Sequence, residues 1–260
     1  MPLANNNGVR IFYKVVGDGS PLVLHHGLGG THEEWSRAGY VEALKDKYRL
    51  ILMDARGHGK SDKPQAPKEH STELMVGDVV AVLDDLGIEK AHFWGYSMGG
   101  RVALAAGKYA PDRFSSLIIG GNGLSEKNSK EEMEELQGYI RIFEQGVDAV
   151  IALIEKERGR EMEKWERDKW LNADLDALIA YCSNYENIGM ANYLPTLTIP
   201  CLFYAGEEDT YPHSRAKAAA DIMQDAEFLS LPGLDHMGAF TDISVVLPHV
   251  LRFLEKVTNA

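Results

Sequence analysis

The run Phe93-Trp94-Gly95-Tyr96-Ser97-Met98-Gly99-Gly100 constrains this chain more than any other stretch. A short apolar segment, Ala91 to Trp94, leads into it. Small, helix-compatible residues, Arg101 to Ala106, lead out of it. A serine between two glycines on a strand-to-helix turn has a mechanical meaning. The turn leaves no room for side chains at Gly95 and Gly99, and it holds the serine in a strained backbone with its Oγ exposed. The helix that follows points its positive end at the reacting atom. A bare G-x-S-x-G can also be an ordinary glycine-rich turn. Here the strand before it and the helix after it favour a nucleophile at Ser97.

With 260 residues, 45% of them hydrophobic, the chain can build one sizeable α/β core with room for an inserted subdomain. No window approaches the ~20 apolar residues of a membrane span. The segment Met1 to Val9 is polar and lacks the apolar core of a signal peptide. Two cysteines, Cys182 and Cys201, read as buried thiols in a reducing cytoplasm. A net charge of −12 disfavours nucleic acid and anionic membrane surfaces as partners.

Strand patterns occupy Val9 to Val15 and Pro21 to His25, the second running into His26-Gly27-Leu28-Gly29-Gly30. A glycine-rich loop directly after a strand offers unobstructed backbone N–H groups. Paired with the N–H that follows a nucleophile, it can form an oxyanion hole, which here would use Leu28 and Met98. Thr31 to Lys45 reads as a helix. In it Trp35, near the glycine loop, is either a pocket residue on the acyl side or a core aromatic. The strand Arg49 to Met53 leads to Asp54-Ala55-Arg56-Gly57-His58-Gly59-Lys60-Ser61-Asp62. This run lacks phosphate-loop spacing and a metal-binding cluster, and it reads as a turn pinned by side-chain hydrogen bonds. Pro64 to His70 is a loop, Thr72 to Leu86 an amphipathic helix and Ser115 to Gly121 another strand.

From about Leu124 to Leu194 strand patterns give way to helical ones: Lys127 to Gln145, Val147 to Arg158, Glu161 to Leu171 and Leu175 to Tyr185. The expectation is a helical cap at residues 123–195, inserted into a core made of residues 1–122 and 196–260. Its acidic start reads as a solvated face. Tyr139 and Phe143 are candidates for roofing a substrate pocket. The parallel sheet resumes at Pro200 to Ala205, before Gly206-Glu207-Glu208-Asp209. A helix at Pro212 to Met223 and a last strand at Glu227 to Leu231 follow. Then come Gly233-Leu234-Asp235-His236 and a closing helix, Thr241 to Val257, interrupted by Pro248.

The order Ser97, Asp209, His236 is that of α/β-hydrolases. With His26-Gly27-Leu28-Gly29-Gly30, Asp54-x-Arg56-Gly57-His58-Gly59-x-Ser61, Gly95-x-Ser97-x-Gly99, Gly206-x-x-Asp209 and Gly233-x-x-His236, the sequence resembles that superfamily over nearly its whole length. It looks most like esterase and enol-lactonase-like members with a helical cap. The resemblance implies a mostly parallel central sheet flanked by helices, with Ser97 as nucleophile, His236 as general base and Asp209 orienting the imidazole. Glu207, Glu208 and Asp235 are the neighbouring alternatives for the acid. It implies no metal and no organic cofactor.

A serine at position 97 departs from the aspartate of the related dehalogenases and epoxide hydrolases. The 26–30 loop lacks the H-G-G-P-G run of proline iminopeptidases and the G-P-G run of many carbon–carbon bond hydrolases. The expected function is cytoplasmic cleavage of small to medium esters or lactones through an acyl-enzyme. A carbon–carbon bond hydrolase or perhydrolase with the same triad, and a ligand-binding receptor of the same fold, are the alternatives.

Overall fold

A computed structural model describes residues 2–124, 130–184 and 189–259. Eight strands form one sheet: β1 (Leu3–Asn6), β2 (Val9–Val16), β3 (Ser20–His25), β4 (Tyr48–Met53), β5 (Ala91–Tyr96), β6 (Phe114–Gly120), β7 (Cys201–Gly206) and β8 (Ala226–Leu231). Their spatial order is β1-β2-β4-β3-β5-β6-β7-β8. The pairs β1·β2 and β2·β4 are antiparallel, and every later pair is parallel. The helices are α1 (Glu33–Arg37), α2 (Tyr40–Leu44), α3 (Thr72–Asp85), α4 (Met98–Tyr109), α5 (Lys130–Phe143), α6 (Val147–Arg158), α7 (Lys164–Leu171), α8 (Leu175–Ser183), α9 (Met190–Tyr193), α10 (Thr210–Ile222), α11 (Gly238–Thr241) and α12 (Ile243–Thr258).

Successive strand residues enter opposite faces, and both faces are covered. On β4, Ile51 and Met53 join the core shared with α3, α4 and α10, while Leu50 and Leu52 join the core under α1, α2 and α12. Phe93 and Trp94 on β5 divide in the same way. The chain reverses direction across the sheet at β3, which pairs with β4 on one side and β5 on the other. In an open parallel sheet this switch point opens a crevice at the strands' C-terminal ends. The loop after β3 and the turn after β5 meet there.

Helices α5 to α9 lie between β6 and β7 in sequence and have an apolar cluster of their own: Phe143, Val150, Ile151, Trp170, Leu178 and Cys182. Leu28, after β3, packs against both this cluster and the sheet core. The expected helix starts and ends at 127–129 and Tyr185 lie outside the described residues. Glu132 of α5 reaches back to the core, 3.0 Å from Arg101 on α4 and 3.6 Å from Arg215 on α10.

Three expectations are corrected. The helix expected over Thr31–Lys45 is two helices, because Gly39 adopts φ +91° between them. A strand, β1, precedes the first one expected; only Ala4 of its four residues is buried, so its alternation is too weak to read. The closing segment breaks at Asp242 into α11 and α12, and Pro248 lies inside α12.

The 54–62 segment is pinned by hydrogen bonds. Asp54 accepts the N–H groups of His32 and Lys60 at 2.7 and 2.9 Å, and Ser61 donates through Oγ to the Asp54 carbonyl at 2.6 Å. Arg56 forms a two-armed pair with Asp78 at 2.7 and 2.6 Å, both side chains being 2% exposed, and also donates to the Glu69 carbonyl. Imidazoles then join this segment to the glycine loop. His26 Nε2 accepts from the Ala55 N–H, and His58 Nε2 accepts from the Gly29 N–H, each at 3.1 Å. A ring nitrogen that accepts carries no proton, so both rings are neutral, with Nδ1–H donating to the carbonyls of Gly27 and Arg56.

Burial pushes His25 and His58 down to about 4 and His26 well below its ordinary value. Two expected outcomes follow from these buried groups. Asp78→Asn leaves the Arg56 guanidinium buried without its counter-charge, and the urea midpoint should fall by the equivalent of about 3–5 kcal/mol. The depressed imidazoles make the unfolded chain the better proton binder below its ordinary histidine range. Stability is therefore complete above about pH 7 and is lost as pH falls toward 4, roughly 2 kcal/mol for each of His25 and His58 between pH 7 and 5. Urea melts at pH 7, 6 and 5 check this; a midpoint flat across that range would contradict it.

Candidate active site

Ser97 has φ +54° and ψ −114°, and only Asn7 shares a positive φ among the described non-glycine residues. The turn is as tight as its sequence suggests. A Cβ on Gly95 would lie 1.9 Å from the Gly99 carbonyl oxygen, and one on Gly99 would lie 2.2 Å from that of His25. The strained residue is clamped on both sides: the Ser97 N–H donates to the Gly120 carbonyl at 2.8 Å, and Asn122 Nδ2 donates to the Ser97 carbonyl at 3.2 Å. The hydrogen-bond ladder of α4 begins with the Arg101 N–H on the Ser97 carbonyl. The N–H of Met98 therefore belongs to the first, unladdered turn of the helix.

The loop after β3 lies against the serine. A Cβ on Gly27 would come within 3.3 Å of Ser97 Cβ and 3.8 Å of its Oγ. Leu28 and Gly29 occupy the middle of a turn closed by the Gly30 N–H on the Gly27 carbonyl at 3.0 Å. Leu28 is thus the residue directly after the one that faces the serine.

Asp209 and His236 are brought together from loops 27 residues apart. Asp209 Oδ2 lies 2.5 Å from His236 Nδ1, and the carboxylate is 14% exposed. Asp209 follows β7 and caps α10, and His236 lies between β8 and α11. The alternative acids at this end of the sheet have other partners: Glu207 accepts from Ser230 Oγ at 2.7 Å, and Asp235 accepts from the Gly238 N–H at 2.6 Å. His236 borders the loop that clamps Ser97, since a Cβ on Gly121 would sit 3.0 Å from its Cε1. With Nδ1 held by the carboxylate, the ring's free chemistry is at Nε2.

Two supports were not legible beforehand. The Tyr96 hydroxyl donates to the His236 carbonyl, so the residue before the serine also holds the histidine loop. Trp170 of α7 packs its indole on Gly29, where a Cβ would lie 2.4 Å from Cη2. Nothing in the spacing of either residue announces its partner, 140 and 141 positions away.

The aromatic candidates for the pocket fare differently. Trp35 is fully buried in the sheet's core, its ring about 5 Å from those of Tyr40, Trp94 and Phe240. The pocket role expected of it is corrected to packing: its indole has no face left for a ligand. Phe143 is buried in the inserted helices' own cluster beside Trp170. Tyr139 stacks on Phe143 at 6.2 Å and donates to Glu135 at 3.2 Å.

Comparison with known proteins places this geometry in context. A family model described as the alpha/beta hydrolase fold matches residues 20–146. The chain is 30% identical over 252 residues to the dihydrolipoyllysine-residue acetyltransferase component of the acetoin cleaving system of Pseudomonas putida. That match covers 92% of this chain and 64% of that protein. It is 40% identical over 120 residues to 3-oxoadipate enol-lactonase 1 of Acinetobacter baylyi, covering 45% of this chain and 43% of that one. The chain thus spans less than two thirds of the length of these curated relatives. Among solved structures, the enol-lactonase from Burkholderia xenovorans superposes with a TM-score of 0.81 at 24% identity, over 98% of this chain and 100% of that one. Mostly parallel sheet, glycine-flanked serine turn and family match agree: the chain is an α/β-hydrolase-fold protein, similar to the enol-lactonases and esterases of that fold.

Proposed function

We propose that the chain is a serine hydrolase that cleaves small to medium carboxylic esters or lactones through an acyl-enzyme. The observation that carries this reading is the Asp209 carboxylate on His236 Nδ1, across the 120–122 loop from a serine held at positive φ. Ser97 Oγ attacks the substrate carbonyl while His236 Nε2 takes its proton. Asp209 keeps the proton on Nδ1 and stabilises the imidazolium that forms. The N–H groups of Leu28 and Met98 receive the developing oxyanion, each worth about 3 kcal/mol in the transition state. His236 passes its proton to the leaving alkoxide, and water, deprotonated by the same ring, then releases the acid. No cofactor enters the scheme. Residues 123–195 act as a cap whose helices define the acyl pocket, with Leu28, packed on both the cap cluster and the sheet core, at the junction. Its partner is a small-molecule ester or lactone, and the two buried free thiols fit a cytoplasmic setting. Among the described residues, no helix is long and apolar enough to cross a membrane.

A second reading is acyl transfer to an acceptor other than water. It is favoured by the acetyltransferase component that matches 92% of this chain. Adding alcohols during turnover distinguishes the two, because transfer yields a new ester where hydrolysis yields only acid.

Turnover of p-nitrophenyl esters of increasing acyl length is the direct test. Ser97→Ala should lose at least about a thousandfold in kcat, and an organophosphonate ester should leave one covalent adduct, located at Ser97 by mass spectrometry. An active Ser97→Ala protein, or a folded wild type that forms no adduct, would remove the proposal.

A further inference from the structure

Beside the glycine loop lies a cavity of about 510 Å³. Its walls are the loop itself, the 54–60 segment and helices α7 and α8; Ser97, Asp209 and His236 take no part in them. It opens into a neighbouring groove that shares His32, Glu33, Arg37 and Lys60.

His32 is 6% exposed and lines both spaces. Its Nδ1 lies 2.8 Å from Asp54 Oδ1, the same oxygen that accepts its backbone N–H. Burial alone would lift the Asp54 carboxyl, but the hydrogen bonds from His32 and the nearby imidazoles hold it below its ordinary value, so it accepts. The Nδ1 proton therefore belongs to the ring, and the chemistry left over is at Nε2, which has no hydrogen-bond partner among the described residues. This is a second Asp–His pair, 2.8 Å long, and it is buried.

The ionisable lining is balanced: Arg37, Lys60 and Lys169 against Glu33, Asp54 and Asp168. Four of these six have ionic partners: Arg37 with Glu33 at 3.1 Å, Lys169 with Glu34 at 2.6 Å, and Asp168 with Lys164; Asp54 is held by the hydrogen bonds from His32. Lys60 makes no ion pair among the described residues, and its ammonium rests 4.9 Å from the centre of the Phe12 ring. Trp165, Ala173 and Leu178 supply the apolar part of the lining, with the Arg37 guanidinium 4.2 Å from the centre of the Trp165 ring.

We propose that this cavity is a second ligand site, for a small monocarboxylate with an apolar tail. The carboxylate lies between the His32 imidazole and the Lys60 ammonium, and the tail lies on Trp165 and Leu178. In the complex His32 donates to the carboxylate from Nε2 and to Asp54 from Nδ1. A monoanion suits a lining whose charged groups balance and in which Lys60 is the cation without an ionic partner among the described residues. A dianion such as phosphate meets Glu33 and Asp168 with nothing left to offset its second charge.

Calorimetric titration of the full chain with sodium phenylacetate tests this, with 2-phenylethanol as the neutral isostere. One site per chain is expected, with affinity weakened at least about tenfold in Lys60→Gln and in His32→Gln, and with the alcohol at least about tenfold weaker than the acid. Lys60 is exposed and its substitution leaves every buried hydrogen bond in place, so that variant decides the matter even if His32→Gln fails to fold. Phenylacetate affinity unchanged in Lys60→Gln would overturn the proposal, because the ligand would then lie elsewhere. So would equal binding of the alcohol, or no heat of binding up to about 10 mM ligand.

Discussion

Backbone meets backbone at the turn after β5, and the rest of the molecule is arranged around that contact. Gly95 faces the Gly99 carbonyl, and Gly99 faces the His25 carbonyl, with no space for a methyl group at either. Strand β5, helix α4 and the end of β3 are thereby locked together at two points. A non-glycine residue at positive φ costs on the order of 1–3 kcal/mol and persists only where its surroundings over-determine it. Here two hydrogen bonds and two glycine contacts do so. The strain therefore sits at one residue, between strand β5 and helix α4.

A second constraint governs the loops. The glycine loop and the 54–62 segment run beside each other, and each leaves buried N–H groups to satisfy. Neutral imidazoles answer that need, because one ring accepts at one nitrogen and donates at the other, bridging two backbones at once. A protonated ring can only donate, so this design depends on burial keeping the rings uncharged. Asp54 does the complementary work, collecting donors from residues 32 and 60 on a single carboxylate.

Much of this was legible in the chain. Short apolar runs mark the inner strands because both faces of the sheet are buried, and the glycine spacing marks the turn at Ser97 because no other residue fits. Position in the G-x-x-D and G-x-x-H motifs was enough to single out Asp209 and His236. What periodicity could not give was direction. Trp35 lies close in sequence to the glycine loop but faces the opposite layer, among Tyr40, Trp94 and Phe240. Trp170 is remote in sequence yet sits on Gly29. The pairing of His32 with Asp54 spans 22 positions and depends on how two loops fold back, which no local pattern encodes.

The place where the helical insert leaves the sheet has a consequence of its own. Strands β6 and β7 are hydrogen-bonded neighbours, with Gly120 opposite Tyr204, although about eighty residues separate them in sequence. The insert's two ends are therefore held side by side by the sheet itself. Lengthening or exchanging the helices between them changes closure entropy only slowly and leaves every strand register untouched. Such an architecture separates what can vary from what cannot: the inserted helices can change while the sheet keeps its register.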